Sequence, residues 1–505
     1  MPFIATHVLS LILFLPALAA LVLLFLPRAS HGLIRWFALL ASLIPFGLSA
    51  HLWMRFDPGG VGFQFEEQYA WYEAIGSTLH LGVDGLSLTM VLLTTLLTPL
   101  AILASFGITD RPRAFMMLFL FLETGMLGVF LAMDLLLFFV FWEIGLVPMY
   151  FLINQWGSAN KDYASLKFMI YTMGGSLGLL LGIQLLGVLF RTFDLASITE
   201  QWNSIQGTLL GFPVANVKAV VFWAFVIAFA VKVPVWPFHT WLPDAHTEAP
   251  TAGSMILAGV LLKLGAYGFL RLVLPLYPEQ ARQFAFALAA LATAAIVFGA
   301  LASYAQTDFK RLVAYSSVNH MGFVVLGISA AALASGTADA RIALNGAILQ
   351  MFNHGLSAAG MFFLVGVLYD RTHTRNLEDF GGLFPLVPIY GAILVFTSMA
   401  SLGLPGLNGF VSEFLVVRGT YPILTVYTAI SMLGLLFTGA YILKGLKQVL
   451  HGPMNHRWSH GEHRLTEISS REIIVIAPLM VLMLVIGVWP AWILEIINRA
   501  VLQLF

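Results

Sequence analysis

The sequence contains no cysteine among its 505 residues, and only 10% of its residues are charged. Without cysteine the chain offers no thiolate for an iron–sulfur cluster, no attachment point for a covalent haem and no disulfide. A soluble domain is about 25% charged. The low charge, together with 59% hydrophobic residues and a mean hydropathy of +0.89, therefore indicates an integral membrane protein.

Two further absences narrow the function. The formal net charge is zero, so there is no electrostatic reason to expect a nucleic-acid partner. No GxGxxG string and no Walker A string occurs, so nucleotide binding has no support, and any ATP or redox input is expected to act through a partner. The first apolar stretch, from Leu9 to Leu26, is longer than the ~7–15-residue core of a signal peptide, and we expect a retained helix.

Apolar windows of about 20 residues predict fourteen transmembrane helices, so the predicted fold is an all-α polytopic membrane protein. The predicted spans are 5–26, 32–53, 84–108, 111–131, 133–154, 162–190, 218–240, 251–273, 281–303, 311–329, 341–368, 386–417, 422–446 and 472–499. The seventh contains Pro234 and Pro237, and the twelfth contains SLGLPGLNGF at 401–410, so both are predicted to be discontinuous. Broken backbone at membrane depth is tolerated only where protein or a wet cavity satisfies it.

The distribution of Lys and Arg predicts the orientation. Loops that follow odd-numbered helices hold 15 of these residues, whereas the opposite side holds 8. We therefore expect both termini on the non-cytoplasmic side, with the long loop 54–83 outside and the loop 451–470 inside. The inner loop has four histidines, but their spacing matches no standard metal site, and we interpret it as a solvated polar loop. Ser469 and Glu472 predict a capping box at the start of the last helix.

Ionisable side chains lie within predicted membrane helices, where a charge costs about 2.5–3.5 kcal/mol and indicates function by default. They are Glu123, Glu143, Lys232, Lys263, His320 and His354, with Glu413 beyond the break in the twelfth helix. Acids, lysines and histidines on separate helices suit a relay in which each group accepts and releases a proton. For each residue the alternative is a purely structural role. This alternative has the least support for Glu143 and Lys263, and for Glu123 it has as much support as a functional role.

The spacing of these groups suggests an internal duplication. Glu143 precedes Lys232 by 89 residues, and His320 precedes Glu413 by 93, so each interval leads to an ionisable group on a proline-broken helix. A five-helix unit has an odd number of spans, so the second copy would be inverted in the membrane. The predicted divisions are helices 1–3 (1–110), a first repeat (111–275), an inverted second repeat (276–450), and the histidine-rich cytoplasmic loop with the last helix (451–505).

Five long strings resemble the antiporter-like membrane subunits of proton-pumping NADH:quinone oxidoreductase, or respiratory complex I. They are FFVFWEIGLVPMYFLI, FAVKVPVWPFHTWLPDAHTEAPTAGS, AQTDFKRLVAYSSVNHMGFV, HGLSAAGMFFL and LPGLNGFVSEF. The resemblance spans nearly the whole chain. Glu413 stands where sibling subunits usually carry lysine, and this glutamate indicates the subunit M family. The subunits of Mrp-type cation/proton antiporters share most of these motifs.

The resemblance implies that Glu143 pairs electrostatically with Lys232, and that the proton path continues from Lys232 to later groups. Those groups are Lys263, His320, His354 and Glu413, while Glu123 is assigned only tentatively. The resemblance also implies that FMN, iron–sulfur clusters and quinone bind to partner subunits, namely a peripheral redox arm and other membrane subunits, including sibling antiporter-like subunits. Lipids would surround the chain in a bacterial inner membrane.

A proton switch at Lys232 follows from simple electrostatics. At about 4 Å and an effective dielectric near 20, the attraction between a carboxylate and an ammonium is roughly 4 kcal/mol. Moving Glu143 away, or neutralising it, would turn the lysine from a proton holder into a donor. Three alternatives stay open: a cation/proton antiporter driven by an ion gradient, a structural membrane scaffold whose buried charges lock helices together, and, with less support, a transporter of an organic solute.

Overall fold

A computed structural model describes residues 6–209, 211–459 and 464–504. Within these residues, twelve helices are long and apolar enough to cross a membrane, and two shorter apolar helices, Val8–Leu23 and Pro388–Leu402, accompany them. The fold is therefore a mostly helical membrane bundle, as the composition predicts. Each of the predicted spans overlaps helix in the structure.

The helices up to residue 276 follow the predicted windows, except for two short helices, 195–204 and 241–248, that lie between windows and were not predicted. In chain order they are α1 (Val8–Leu23), α2 (His31–Arg55), α3 (Gly85–Ala104), α4 (Pro112–Leu131), α5 (Leu135–Ile144), α6 (Leu146–Trp156), α7 (Lys161–Phe190), α8 (Leu195–Ser204), α9 (Val214–Lys232), α10 (Trp241–Glu248) and α11 (Thr251–Leu276). Two π-helical turns, Leu257–Leu261 and Phe269–Val273, interrupt the regular hydrogen bonding of α11.

The remaining helices complete the bundle. They are α12 (Pro278–Gln283), α13 (Ala285–Ala305), α14 (Phe309–Leu333), α15 (Ala338–Thr372), α16 (Pro388–Leu402), α17 (Asn408–Thr420), α18 (Thr425–Leu450), α19 (Ser470–Val488) and α20 (Ala491–Gln503). The predicted capping box is present, since Ser469 Oγ accepts from the backbone N–H of Glu472 and the Glu472 carboxylate accepts from the N–H of Ser469. Two histidines of the inner loop, His460 and His463, lie outside the described residues.

The bundle has a protein-enclosed centre and a lipid-facing outside. The most apolar stretches of α11 and α15 are completely buried by other helices, and that of α14 is almost so. By contrast, only about a third of the corresponding stretches of α7, α18 and α19 is buried. A helix that is buried on all sides keeps its polar side chains away from lipid. The central helices α11, α14 and α15 are therefore where ionisable groups can be held at membrane depth.

Both predicted interruptions are present. The seventh span stops at Lys232 and resumes at Trp241, and the twelfth stops at Leu402 and resumes at Asn408. Proline accounts for the first, because its ring removes a backbone donor and clashes with the preceding turn. The fifth span also kinks, at Gly145, and the last span divides at Pro490. The unbroken helix predicted for 472–499 is therefore wrong.

The connection 54–83 contains an antiparallel β-hairpin, β1 (Gln64–Tyr72) and β2 (Ser77–Val83), rather than only a loop. Its β1 strand is mostly exposed and lacks the apolar alternation that would have predicted it. The buried carboxylate of Glu67 accepts hydrogen bonds from the backbone N–H groups of Leu9 (2.7 Å) and Ser10 (3.1 Å). The hairpin thereby satisfies free N–H groups in the first turn of α1.

Candidate functional site

Lys232 is the last residue of α9, and its side chain is buried. Its Nζ lies 4.9 Å from the centroid of the Trp142 ring, a cation–π contact. The Trp142 indole N–H donates to Ser176 Oγ at 2.9 Å, which fixes the ring under the ammonium. Pro234 and Pro237 keep the following backbone non-helical, so the lysine lies at the end of a helix inside the bundle.

Glu143 lies in the last turn of α5, directly before the kink at Gly145. Its charge acts on Lys232, yet within the described residues the two side chains form no direct ion pair, and Glu143 Oε1 has no hydrogen-bond partner. A Cβ at Gly125 of α4 would lie 2.6 Å from the backbone nitrogen of Gly145. The kink is thus packed against a glycine, and the carboxylate is held near Lys232 without contact.

Lys263 lies on α11 between the two π-helical turns and is fully buried. Its Nζ donates to the carbonyl oxygen of Ala258 at 2.5 Å and lies 2.7 Å from His354 Nδ1. Two residues further on, a Cβ at Gly265 would lie 2.8 Å from the carbonyl oxygen of Phe229. Glycine is required there because α11 touches the last turn of α9, and this contact brings the helices of Lys232 and Lys263 together.

His354, His320 and Glu413 continue the line from Lys263. The rings of His354 on α15 and His320 on α14 have centroids 5.8 Å apart. His320 Nδ1 lies 2.7 Å from Glu413 Oε1 on α17, and its Nε2 lies 3.1 Å from the Tyr441 hydroxyl. All three relay side chains are at least 96% buried. The structure therefore joins four of the predicted groups, from three central helices and the second broken helix, into one buried row.

Amide side chains hold the second broken helix against α15. Gln350 Nε2 donates to Glu413 Oε1 at 3.0 Å. Asn353 Nδ2 donates to the carbonyl oxygen of Asn408 at 2.7 Å, and Asn408 Nδ2 donates to that of Asn353 at 3.1 Å. The two asparagines thus bind each other's backbone carbonyl oxygens and hold the start of α17 against α15.

The hydrogen-bond partners assign proton positions along the row. An ammonium only donates, so His354 Nδ1 accepts from a charged Lys263, and the proton of a neutral His354 ring is then on Nε2. A carboxylate only accepts, so His320 Nδ1 donates to Glu413 and its Nε2 accepts from Tyr441. Each imidazole can take a proton at one nitrogen and release one from the other, which is the chemistry of a proton shuttle.

Glu123 stands apart from this row. It is fully buried on α4, and neither carboxylate oxygen has a hydrogen-bond partner within the described residues. Glycines two and five positions later, Gly125 and Gly128, face α5, so helical spacing directs Glu123 away from α5 and from Glu143. The structure therefore does not bring Glu123 into contact with any other predicted site residue.

Two buried groups, His246 and Lys310, were not among the predicted site residues. The sequence analysis assigned His246 to a loop and Lys310 to the end of a helix. His246 of α10 is fully buried, stacks on Phe362 at 4.3 Å with an 8° interplanar angle, and has no hydrogen-bond partner at either ring nitrogen in the part described. Both Lys263 and Lys310 act electrostatically on its ring. Lys310 is itself buried and donates to the carbonyl oxygen of Ala249. Both residues could have been selected from the sequence, since each lies within one of the strings that carry the family resemblance.

A cavity of about 520 Å³ opens beside Lys310, at the end of the bundle predicted to face the cytoplasm. Its polar lining includes Ser158, Glu248, Lys310, Asp370, His373 and Arg375. The volume is ample for several water molecules. Water can therefore approach Lys310 from this side.

Comparison with known proteins matches the sequence to two families. The family described as NADH:quinone oxidoreductase/Mrp antiporter matches residues 132–439, and the family described as NADH-ubiquinone oxidoreductase chain 4, amino terminus, matches residues 63–134. The chain is 40% identical over 505 residues to NADH-quinone oxidoreductase subunit M of Rhodobacter capsulatus, covering 99% of this chain and 96% of that one. It is 42% identical to subunit M of Pseudomonas aeruginosa, covering 93% and 92%.

Solved structures share the fold. A chain of respiratory complex I from Thermus thermophilus superposes with a TM-score of 0.84 at 29% identity, covering 98% of this chain and 99% of that one. A chain of the Mrp complex from Dietzia superposes with a TM-score of 0.82 at 24% identity, covering 98% of this chain but 52% of that one. The similarity to the Mrp chain shows a shared fold alone.

Proposed function

Because the chain belongs to the subunit M family of NADH-quinone oxidoreductases, we propose that it moves protons across the membrane along a row of buried side chains. The row runs from Lys232 through Lys263, His354 and His320 to Glu413, with Glu143 as the charged partner of Lys232. The chain is the proton-translocating membrane subunit of a redox-driven complex, and quinone reduction in other subunits drives it. The observation that carries the proposed path is the pair of 2.7 Å contacts, Lys263–His354 and His320–Glu413.

Proton transfer along the row follows from the hydrogen-bond directions. Lys263 passes a proton to Nδ1 of His354, and the imidazolium that forms releases the proton on its Nε2. His320 takes up a proton at Nε2 from the Tyr441 hydroxyl as it gives the one on Nδ1 to the Glu413 carboxylate, and the proton released by His354 would replace the one that Tyr441 gave. After each transfer the imidazole holds its proton on the other ring nitrogen, so the starting tautomer has to be restored before the next proton passes, and the dry surroundings keep the protons on the row.

Glu143 serves as the switch for Lys232. The two side chains are near each other but not in direct contact in this structure, which corresponds to an open pair. Closing the pair to about 4 Å would stabilise the charged lysine by roughly 4 kcal/mol at an effective dielectric near 20. Opening and closing this pair would therefore change the tendency of Lys232 to release its proton.

The finer architecture is also part of the proposal. Fourteen membrane crossings form helices 1–3, two inverted five-helix repeats at 111–275 and 276–450, and a last helix, with both termini on the non-cytoplasmic side. The α9–α10 and α16–α17 breaks support the repeats, since each falls in the fourth helix of its five-helix unit. Broken helices at corresponding positions are typical of inverted-repeat transporters.

Redox chemistry and assembly belong to partner subunits. The chain has no cysteine to hold an iron–sulfur cluster, so we propose that FMN, iron–sulfur clusters and quinone bind elsewhere in the complex. Sibling antiporter-like subunits, a peripheral redox arm and lipids of a bacterial inner membrane are the proposed surroundings. Glu123 is included only as an additional proton-holding group, because it is buried and its carboxylate has no hydrogen-bond partner among the described residues.

Replacing Lys232 tests the proposal. In vesicles containing the whole complex, Lys232→Met is expected to abolish proton translocation while NADH oxidation with an artificial electron acceptor continues. Lys218→Met is the matched control, since Lys218 lies on the same helix and also faces a tryptophan ring, Trp202 at 5.3 Å, but lies outside the row. Lys218→Met should pump normally.

The alternatives make different predictions for the same variants. Full proton translocation by an assembled Lys232→Met complex would leave the buried charges a structural role and contradict the proposed path. An antiporter of the Mrp type would instead translocate protons in response to a sodium gradient without electron transfer. Loss of pumping in both lysine variants would show that burying methionine in α9, rather than losing the relay amine, is responsible.

A further inference from the structure

A carboxylate outside the relay joins three helices near the Lys310 cavity. Asp244 of α10 lies 2.6 Å from Lys167 Nζ of α7 through Oδ2 and 3.1 Å from Arg311 Nη2 of α14 through Oδ1. The carboxylate is only 16% exposed, so solvent screens these pairs less than ordinary surface ion pairs. One negative charge is thus shared between a cation of the first predicted repeat and a cation of the second.

The far end of α10 is also held by the second predicted repeat. The carbonyl oxygens of Thr247 and Ala249 accept hydrogen bonds from Arg375 and Lys310, respectively. These carbonyl groups lie at the C-terminal end of a helix, where cations are favourable. The short helix is therefore fixed along its length by charges that belong to the other half of the molecule.

The same helix is tied directly to the proton switch. The indole N–H of Trp241, the first residue of α10, donates at 2.8 Å to the carbonyl oxygen of Val231, which precedes Lys232. On α14, Arg311, which pairs with Asp244, lies nine residues before His320. Asp244 therefore stands between the helix that carries a relay histidine and the helix segment that positions Lys232.

We propose that Asp244 is a positioning residue that couples the two halves of the proton path. Its carboxylate holds α10 against α7 and α14, so a displacement of α14 when His320 changes charge is transmitted through α10 to the backbone beside Lys232. Without the carboxylate, Lys167 and Arg311 would face each other unpaired, and α10 would lose its fixed position. The inference rests on the proposed proton path but concerns a residue that carries no proton itself.

The test is Asp244→Asn in the whole complex, read by two measurements. Proton translocation per electron pair should fall, while NADH oxidation with an artificial acceptor stays unchanged. Hydrogen exchange of the segment 233–250, followed by mass spectrometry, should become about fivefold faster, as expected when a partly exposed ion-pair network is lost. Asp339→Asn is the matched control, because it removes a carboxylate paired with Arg418 at 2.8 Å elsewhere in the bundle. It should change neither readout.

The outcomes separate this inference from the proposed path. Normal pumping and normal exchange in Asp244→Asn would overturn the inference, and so would lost pumping with unchanged exchange, since that result assigns Asp244 a direct proton-carrying role. If Asp244→Asn fails to assemble, Arg311→Gln and Arg311→Lys take its place, and only the lysine variant should retain coupling. The path itself is tested by Lys232→Met, whose result is independent of Asp244.

Discussion

Replacing Glu413 by glutamine would separate the structural from the proton-carrying role of the residue at the end of the row. Glu413 is 3% exposed, and its Oε1 accepts from His320 at 2.7 Å and from Gln350 at 3.0 Å. A glutamine has nearly the same shape, and its carbonyl oxygen can accept from both donors. An amide cannot take up a proton at neutral pH, so the row would lose its terminal acceptor.

The structure bounds the effect on stability. A hydrogen bond to a charged group contributes about 1.5–3 kcal/mol and a neutral one about 0.5–1.5, so neutralising the acceptor weakens two bonds by about 1 kcal/mol each. Oε2 has no partner in the described residues, and an unpaired amide there adds about 1 kcal/mol or more. Removing a buried charge offsets part of this cost. The sum, about 2–3 kcal/mol, should leave the complex assembled.

The assay is proton uptake into vesicles, measured with a pH-sensitive dye, together with native-gel assembly and NADH oxidation. Glu413→Gln should assemble, oxidise NADH with an artificial acceptor, and fail to pump. Glu413→Asp, which keeps the carboxylate but withdraws it from His320, should pump at a reduced rate. An assembled Glu413→Gln complex that pumps as fast as the unaltered one would refute the assignment of Glu413 as a proton acceptor.

Two further predictions concern positions outside the row. Hydrogen bonding to Asp194, opposed by burial and aided by Glu66, raises the pKa of His80 on the hairpin. Its stabilisation is therefore complete below about pH 6.5 and is lost as pH rises through the raised pKa. The protection of the amides of residues 64–83 against hydrogen exchange, relative to their intrinsic exchange rates at each pH, should fall over that window, and His80→Gln should remove this fall. Gly265→Ala would place a methyl group 2.8 Å from a backbone oxygen of α9 and should reduce assembly of the complex on native gels. Gly174→Ala is the control and should assemble normally, because its methyl group would meet nothing within 4 Å. Equal assembly of both variants would contradict the close approach of α11 to α9.

Much of the fold was predictable because membrane helices follow from hydropathy alone. Proline placed the first break, and the glycine- and proline-rich string placed the second. The first strand of the hairpin, β1, was not predictable, since it mixes glutamates with aromatic residues and lacks apolar alternation. The kink at Gly145 was missed although the sequence carries its signal, because Pro148 lacks the N–H that would bond to the carbonyl oxygen of Ile144.

The members of the site were more predictable than its geometry. Buried ionisable residues stand out against apolar sequence, so Lys263, His320, His354 and Glu413 could be selected one by one. Which of these residues contact each other could not be predicted, because Lys263 and His354 are 91 residues apart in the sequence and His320 and Glu413 are 93 apart. His246 was missed because it lies in a short helix between two apolar windows, where hydropathy predicts a loop.

Infrared difference spectroscopy of the whole complex during quinone reduction tests the central claim most directly. If protons reach Glu413 along the buried row, a carbonyl band of a protonated carboxyl should appear on turnover and be absent from the Glu413→Gln complex. The band should also be absent from Lys263→Met, in which the row is cut before the two histidines. Identical difference spectra in the unaltered complex and in both variants would contradict the account.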